Sequence, residues 1–167
     1  MLKRMIMIAA LGLMAGPVAA QTAPITVFVV RHAEKGPETP DPSLTEQGKN
    51  RAGALAQALK DAGVTAAYAS EFKRTQETVA PLAAARSLTT TIVPAARVDS
   101  LVKLIAALPA GSRAVVASHS NLVHLIAERL TGIKVPPLTE ADYDRMLVVT
   151  VTGPGKGEVV VLRYGEK

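Results

Sequence analysis

With 167 residues, 49% of them hydrophobic and 20% charged, the chain has the composition of one globular domain rather than of a disordered or repetitive polymer. It has no Cys, which removes disulfides, thiolate nucleophiles and Cys-ligated metals. Three Tyr and two Phe without any Trp are too few for a base-stacking platform or an aromatic sugar cleft. The net charge is +5, but the basic residues are dispersed in runs no longer than the pair Lys73-Arg74, which argues against a nucleic-acid partner.

Lys3 and Arg4 precede an apolar run, Met5 to Ala15, then Gly16-Pro17 and the small residues Val18-Ala19-Ala20. This pattern predicts a secretory signal peptide over residues 1–20, cleaved after Ala20. The run is shorter than the roughly 20 residues a membrane-spanning helix needs, so no stable membrane anchor is expected. Cleavage removes two of the 19 basic residues and sends the mature chain, 21–167, to a bacterial periplasm or outside the cell as a single domain.

Within that domain the first predicted strand is Ile25 to Val30. A helix of period 3.6 follows around Ala52, Leu55, Ala56 and Leu59, with Thr45 as N-cap and Gly63 at its end. A strand at Ala66 to Ala69 leads into a helix around Thr75, Thr78, Val79 and Leu82, in which Pro81 is expected to cause a kink or split. A strand at Thr89 to Val93 precedes a helix around Leu101, Leu104, Ile105 and Leu108, capped by Asp99 or Ser100. A strand at Ala114 to Ala117 precedes one around Val123, Ile126, Ala127 and Leu130, closed by Gly132. Strands at Met146 to Val151 and Glu158 to Arg163 end the chain, and their six-residue connection suits a hairpin rather than a crossover helix. The alternation is that of an α/β fold with a mixed, mostly parallel six-stranded sheet and a C-terminal antiparallel hairpin.

Ligands of open α/β sheets bind beyond the carboxyl ends of the strands. The first strand runs out into Arg31-His32-Ala33-Glu34-Lys35, the second into Ser70-Glu71-Phe72-Lys73-Arg74-Thr75, and the fourth into Ser118-His119-Ser120-Asn121. Arg31, His32, Arg74 and His119 are thereby expected at one rim. Guanidinium forks hold phosphate oxygens, a neutral imidazole is a covalent nucleophile, and a protonated one stabilises a developing oxyanion. The set suits phosphoryl transfer without a metal or cofactor. His124, five residues from His119, is off the spacing for a shared metal and is taken as structural, and Ser118 and Ser120 lack the Gly-x-Ser-x-Gly elbow of a hydrolase serine.

The segments Val30-Arg31-His32-Ala33-Glu34-Lys35, Leu44-Thr45-Glu46-Gln47-Gly48 with Arg51-Ala52, Tyr68-Ala69-Ser70 with Lys73-Arg74-Thr75-Gln76-Glu77-Thr78, and Ser118-His119-Ser120-Asn121 resemble, in order and spacing, the histidine phosphatase superfamily, also called phosphoglycerate-mutase-like. The resemblance implies a three-layer α/β/α sandwich with one antiparallel strand in the sheet. It implies His32 as the phosphorylated nucleophile and Arg31, Arg74 and His119 as the rest of the phosphate pocket; the N-terminus of the helix starting near Asn121 is expected to add a favourable dipole for the same phosphate. Where the family usually reads Arg-His-Gly-Glu this chain has Ala33, which must therefore hold an ordinary backbone angle.

The proton donor is less legible. One branch of the family places an Asp directly after the second His, where Ser120 stands. The other uses a Glu in an insertion after the third strand, where Asp99 is the positional candidate and also suits a helix N-cap. Glu34, Glu77 and the acidic stretch Glu140-Ala141-Asp142-Tyr143-Asp144 are further candidates that the sequence does not rank. The expected activity is metal-independent hydrolysis of a small-molecule or lipid-linked phosphate monoester through phosphohistidine on His32. Export argues against both a sugar-phosphate mutase and a phosphohistidine-protein phosphatase. The alternatives are a non-catalytic phosphate-binding envelope protein with the same pocket and a metallohydrolase built on His32, His119 and carboxylates. Catalysis needs His32 neutral, with its second nitrogen donating to a carbonyl or carboxylate, and His119 protonated beside the phosphate and a carboxylate such as Glu34. A bell-shaped or acid-shifted pH profile should follow.

Overall fold

The computed structural model describes residues 23–37 and 40–166; the expected signal peptide, residues 1–20, lies outside them. Six strands, β1 (Ile25–Arg31), β2 (Ala66–Ala69), β3 (Thr90–Ile92), β4 (Arg113–Ser118), β5 (Arg145–Gly153) and β6 (Lys156–Arg163), form one sheet in the order β3-β2-β4-β1-β5-β6. β1, β2, β3 and β4 are mutually parallel, whereas β5 runs antiparallel to both β1 and β6.

Helices α1 (Glu46–Ala58) and α2 (Lys73–Ala85) cover one face, and α3 (Val98–Ala106) and α4 (Ser120–Thr131) the other. The pleat explains the unbroken apolar run from Val27 to Val30 in β1: Val27 and Val29 pack with Leu101, Ile105, Val123 and Ile126, while Phe28 and Val30 pack with Leu55, Leu59, Val79 and Leu82. Each of these buried apolar side chains contributes up to about 1.5–3 kcal/mol of transfer free energy. The three layers, the mixed sheet and the terminal hairpin agree with the sequence expectation, and strand boundaries differ from it by at most two residues.

Three local expectations are corrected. Of the kink or split expected at Pro81, the split is absent, because α2 is one helix in which Pro81 is exposed and buried Val79, Leu82 and Ala83 hold it to the sheet on both sides. α3 is capped by neither Asp99 nor Ser100; its N-cap is Arg97, which makes no side-chain cap, and Asp99 lies in the first turn, where a negative charge favours the helix dipole. α1 ends at Ala58, and Gly63 (φ +64°) lies in the following turn. Thr45 does cap α1 by accepting from the Gly48 amide, and Gly132 closes α4 in the left-handed region. No helix of the described residues is long and apolar enough to cross a membrane.

Candidate active site

Strand register brings the motifs together. Arg31 at the end of β1 pairs with Ser118 at the end of β4, Ala69 at the end of β2 pairs with Ala117, and the His32 amide donates to the Ser118 carbonyl at 2.8 Å. The residues that follow, His32, Ser70 and His119, are thus neighbours at one rim, with the His32 and His119 rings 5.4 Å apart. Arg31, His32, Arg74, His119 and Asn121 line one cleft of about 340 Å³, with Lys35, Phe72, Ser120 and Glu140. The juxtaposition expected from the strand ends is therefore present.

His32 is 4% exposed. Its Nδ1 lies 2.8 Å from the Ala33 carbonyl, an oxygen that can only accept, so Nδ1 carries the proton and Nε2 presents its lone pair. Burial, reinforced by Arg31, His119 and Arg74, lowers the imidazole pKa to about 4 against the opposing effect of the Ala33 hydrogen bond. His32 is therefore neutral at neutral pH, as a nucleophile must be. Ser87 is the one non-glycine residue with positive φ among the described residues, so Ala33 sits in ordinary backbone.

His119 departs from expectation. Burial, and then the Arg74 charge, lower its pKa to about 4 as well, so it is neutral in the unliganded protein and no carboxylate holds it protonated. Its Nε2 is 3.0 Å from Ser70 Oγ, which is 2.8 Å from Thr75 Oγ1. The Thr75 hydroxyl donates to the Phe72 carbonyl at 2.7 Å, so Thr75 accepts from Ser70 and Ser70 accepts from His119 Nε2–H. This chain fixes the tautomer and leaves Nδ1 as the second site for a proton once an anion is beside it.

The two guanidinium groups are held differently. Arg74 lies over the Phe72 ring at 4.3 Å, with Asp41 3.7 Å from its Nη1; the same Asp41 carboxylate accepts from the Lys73 amide at the start of α2. Thr78 accepts from the Ala33 amide and donates to the Arg74 carbonyl, which ties the loop after His32 to α2. Arg31, 2% exposed, is wrapped by the segment before β5: Nη1 donates to the carbonyls of Glu140 (2.6 Å) and Thr139 (3.3 Å). Its Nη2 donates to Glu140 Oε2 (2.7 Å) and to the Tyr143 hydroxyl, and the guanidinium stacks 4.0 Å from the Tyr143 ring. Nε of Arg31 and Nε of Arg74 are both buried without a hydrogen-bond partner among the described residues. Buried cationic donors of this kind suit an anion.

Neither candidate donor, Glu34 nor Asp99, lines the cleft. Glu34 accepts from Arg51 Nε at 2.8 Å and pairs with its Nη2 at 2.7 Å, an ion pair with both side chains largely buried, on a polar cavity at the far side of Tyr143. Asp99 pairs with Arg129 on the outer surface of α3 and α4. Glu77 accepts from the Leu44 amide, and His124 also stands outside the cleft. Glu140, unranked in the sequence, is the carboxylate that reaches the cleft: Oε1 accepts from Ser120 Oγ at 2.8 Å. The hydroxyl of Ser120, then the Arg31 charge, hold it below the usual carboxylate range. Asp41, Ser70 and Tyr143 also escaped the sequence reading. The signal that was available for Glu140 and Tyr143 is topological: β5 is antiparallel, so its beginning, rather than its end, lies at this rim. Among the described residues no group of three or more His, Cys, Asp or Glu side chains is placed to hold a metal ion.

Residues 27–95, which include His32 and Arg74, match the family model of the histidine phosphatase superfamily (branch 1). No curated protein matches the chain. Among solved structures it is similar to the protein histidine phosphatase SixA complexed with tungstate, with 22% identity and a TM-score of 0.70 over 83% of this chain and 96% of that one. It is similar to the phosphoglycerate mutase of Plasmodium falciparum, with 19% identity and a TM-score of 0.59 over 86% and 91%. Mycobacterial glucosyl-3-phosphoglycerate phosphatase shares 12% identity and a TM-score of 0.62 over 83% and 97%. At these identities the structural likenesses speak for the fold, and the family-model match over β1 to β3 adds the motif residues. The segment 27–95 is thus similar to the histidine phosphatase superfamily in its motif residues, and the whole domain shares the fold of these phosphatases and mutases.

Proposed function

We propose that the protein is a phosphatase that hydrolyses a phosphate monoester, small or lipid-linked, through a phosphohistidine intermediate on His32. One observation carries this reading: a buried, neutral imidazole has one nitrogen committed to the Ala33 carbonyl and the other bare, in a cleft shared with two arginines and a second histidine. Phosphoryl transfer asks mainly for in-line positioning and for charge stabilisation of the phosphoryl oxygens. Nε2 of His32 supplies the attacking pair. Arg31 and Arg74 supply cationic N–H donors, and the first amides of α4, at Ser120 and Asn121, point a helix N-terminus at the same anion. A bound phosphate dianion would favour protonation of His119 at Nδ1, after which both ring nitrogens donate, one to Ser70 and one to the phosphoryl group.

Purified mature protein should turn over para-nitrophenyl phosphate, and His32→Ala should abolish that activity. A protein that binds phosphate in the cleft by calorimetry but hydrolyses no ester would instead be a phosphate-binding envelope protein. Export belongs to the same proposal and rests on residues 1–20 alone. Sequencing of periplasmic material should begin at or near Gln21, and Met1 retained in a membrane fraction would contradict export.

A further inference from the structure

An aliphatic ester oxygen leaves phosphorus slowly unless a proton reaches it, because the alkoxide is a strong base. The cleft therefore needs an acid if esters of ordinary alcohols are to be substrates. Glu34 and Asp99 are spent on Arg51 and Arg129, away from the phosphate-binding side chains. Glu140 is the one carboxylate among the described residues that lines the cleft.

Its position is specific. The carboxylate bridges Arg31 Nη2 at 2.7 Å and Ser120 Oγ at 2.8 Å, spanning the end of β1 and the first turn of α4. The backbone beneath it is anchored by the Glu140 and Thr139 carbonyls on Arg31 Nη1 and by Asp142, which accepts from both the amide and the hydroxyl of Thr139 at 2.7 Å. The side chain itself is 84% exposed, so it can turn without disturbing that anchor.

We propose that Glu140 is the acid–base residue of this site, protonating the leaving oxygen and later accepting the proton of the hydrolytic water. The inference rests on the phosphohistidine reading above. A phosphoryl group held by Arg31 presents anionic oxygens to the donor that Glu140 occupies in the unliganded protein. The carboxylate is thereby displaced from Nη2 and left beside a like charge, which favours its protonated form. His32 lies at the buried floor, 4% exposed, so an in-line leaving group points towards the mouth of the cleft, where Glu140 is. In the first half-reaction the His32 Nε2–P bond forms and the ester P–O bond breaks; its electron pair stays on the leaving oxygen, which takes the Glu140 proton and departs as an alcohol. In the second, water oxygen bonds phosphorus, the N–P pair returns to Nε2, and the water proton goes to the Glu140 carboxylate. Ester and water become alcohol and inorganic phosphate, with Glu140 protonated as at the start.

The test is kcat/KM for a series of aryl and alkyl phosphates of rising leaving-group pKa, from para-nitrophenyl phosphate to glycerol 2-phosphate, for the wild type, Glu140→Gln and Glu140→Asp. Glutamine keeps an acceptor for Ser120 but carries no proton to give. Wild type should depend weakly on the leaving group, Glu140→Gln should lose about 100-fold more on alkyl than on para-nitrophenyl phosphate, and Glu140→Asp should recover part of the difference. Equal loss on every ester, or a uniform gain because Glu140 merely competes with phosphate for Arg31, would overturn the proposal while leaving the phosphohistidine reading intact. So would a wild type already as steep as Glu140→Gln. A wild type that hydrolyses none of the series and forms no phosphohistidine removes the underlying reading, and this proposal with it.

Discussion

Two buried histidines with pKa values near 4 make the site a liability in mild acid. In the unfolded chain both protonate near 6.5, so between about pH 6.5 and 4 the unfolded state binds more protons than the native one and stability falls with pH. Thermal melting should therefore drop across that window, and the drop should shrink when His32 and His119 are both replaced by Asn. The same shift moves the acid limb of kcat/KM: loss of the neutral nucleophile is expected near pH 4 rather than near 6.5. Glu34 is a different kind of residue. Its ion pair with Arg51 braces the loop after His32, and Gly48 closes over the Glu34 carbonyl, where a Cβ would have no room. Glu34→Ala strands a buried guanidinium and should cost about 3 kcal/mol in urea unfolding. Gly48→Ala should also destabilise, by about 1–3 kcal/mol, through the clash with backbone that has little room to shift.

At the scale of elements, β1, β4 and α2 form the working frame, and Thr78 is the joint between them. Its hydroxyl accepts from the Ala33 amide and donates to the Arg74 carbonyl while being fully buried. Thr78→Val keeps the volume but leaves the buried Ala33 amide without its acceptor; about 1–3 kcal/mol of stability should go, and turnover should fall with it because the loop carrying His32 loses its tie to α2. The sequence made the frame legible: β1 and β4 read as apolar runs, and the residues leaving them are those that meet in the cleft. It left the 139–143 segment unranked because a reading of strand ends looks past the beginning of an antiparallel strand, where Glu140 and Tyr143 wrap Arg31. Asp99 was misplaced for a related reason: an acidic residue near the start of α3 serves the helix and Arg129 equally well in one dimension, and only the packing of α3 against α4 shows which partner it has.

For the whole molecule, layer architecture was readable because the hydrophobic periods change cleanly between strands and helices and the connections are short. Protonation was not, since it depends on how deeply the assembled sheet and helices bury each ring: His119 read as an imidazolium and is neutral, because burial, then the Arg74 charge, outweigh the opposing charge of Glu71. The central claim is that these layers exist, functionally, to hold a bare imidazole nitrogen at the floor of a cationic cleft. Acid-quench-free trapping of the protein with a 32P-labelled phosphate ester, followed by peptide mapping, tests it most directly. The expected result is one acid-labile, base-stable label on His32, absent from His32→Ala together with turnover. Label on a serine, or near-normal turnover in His32→Ala, would contradict it.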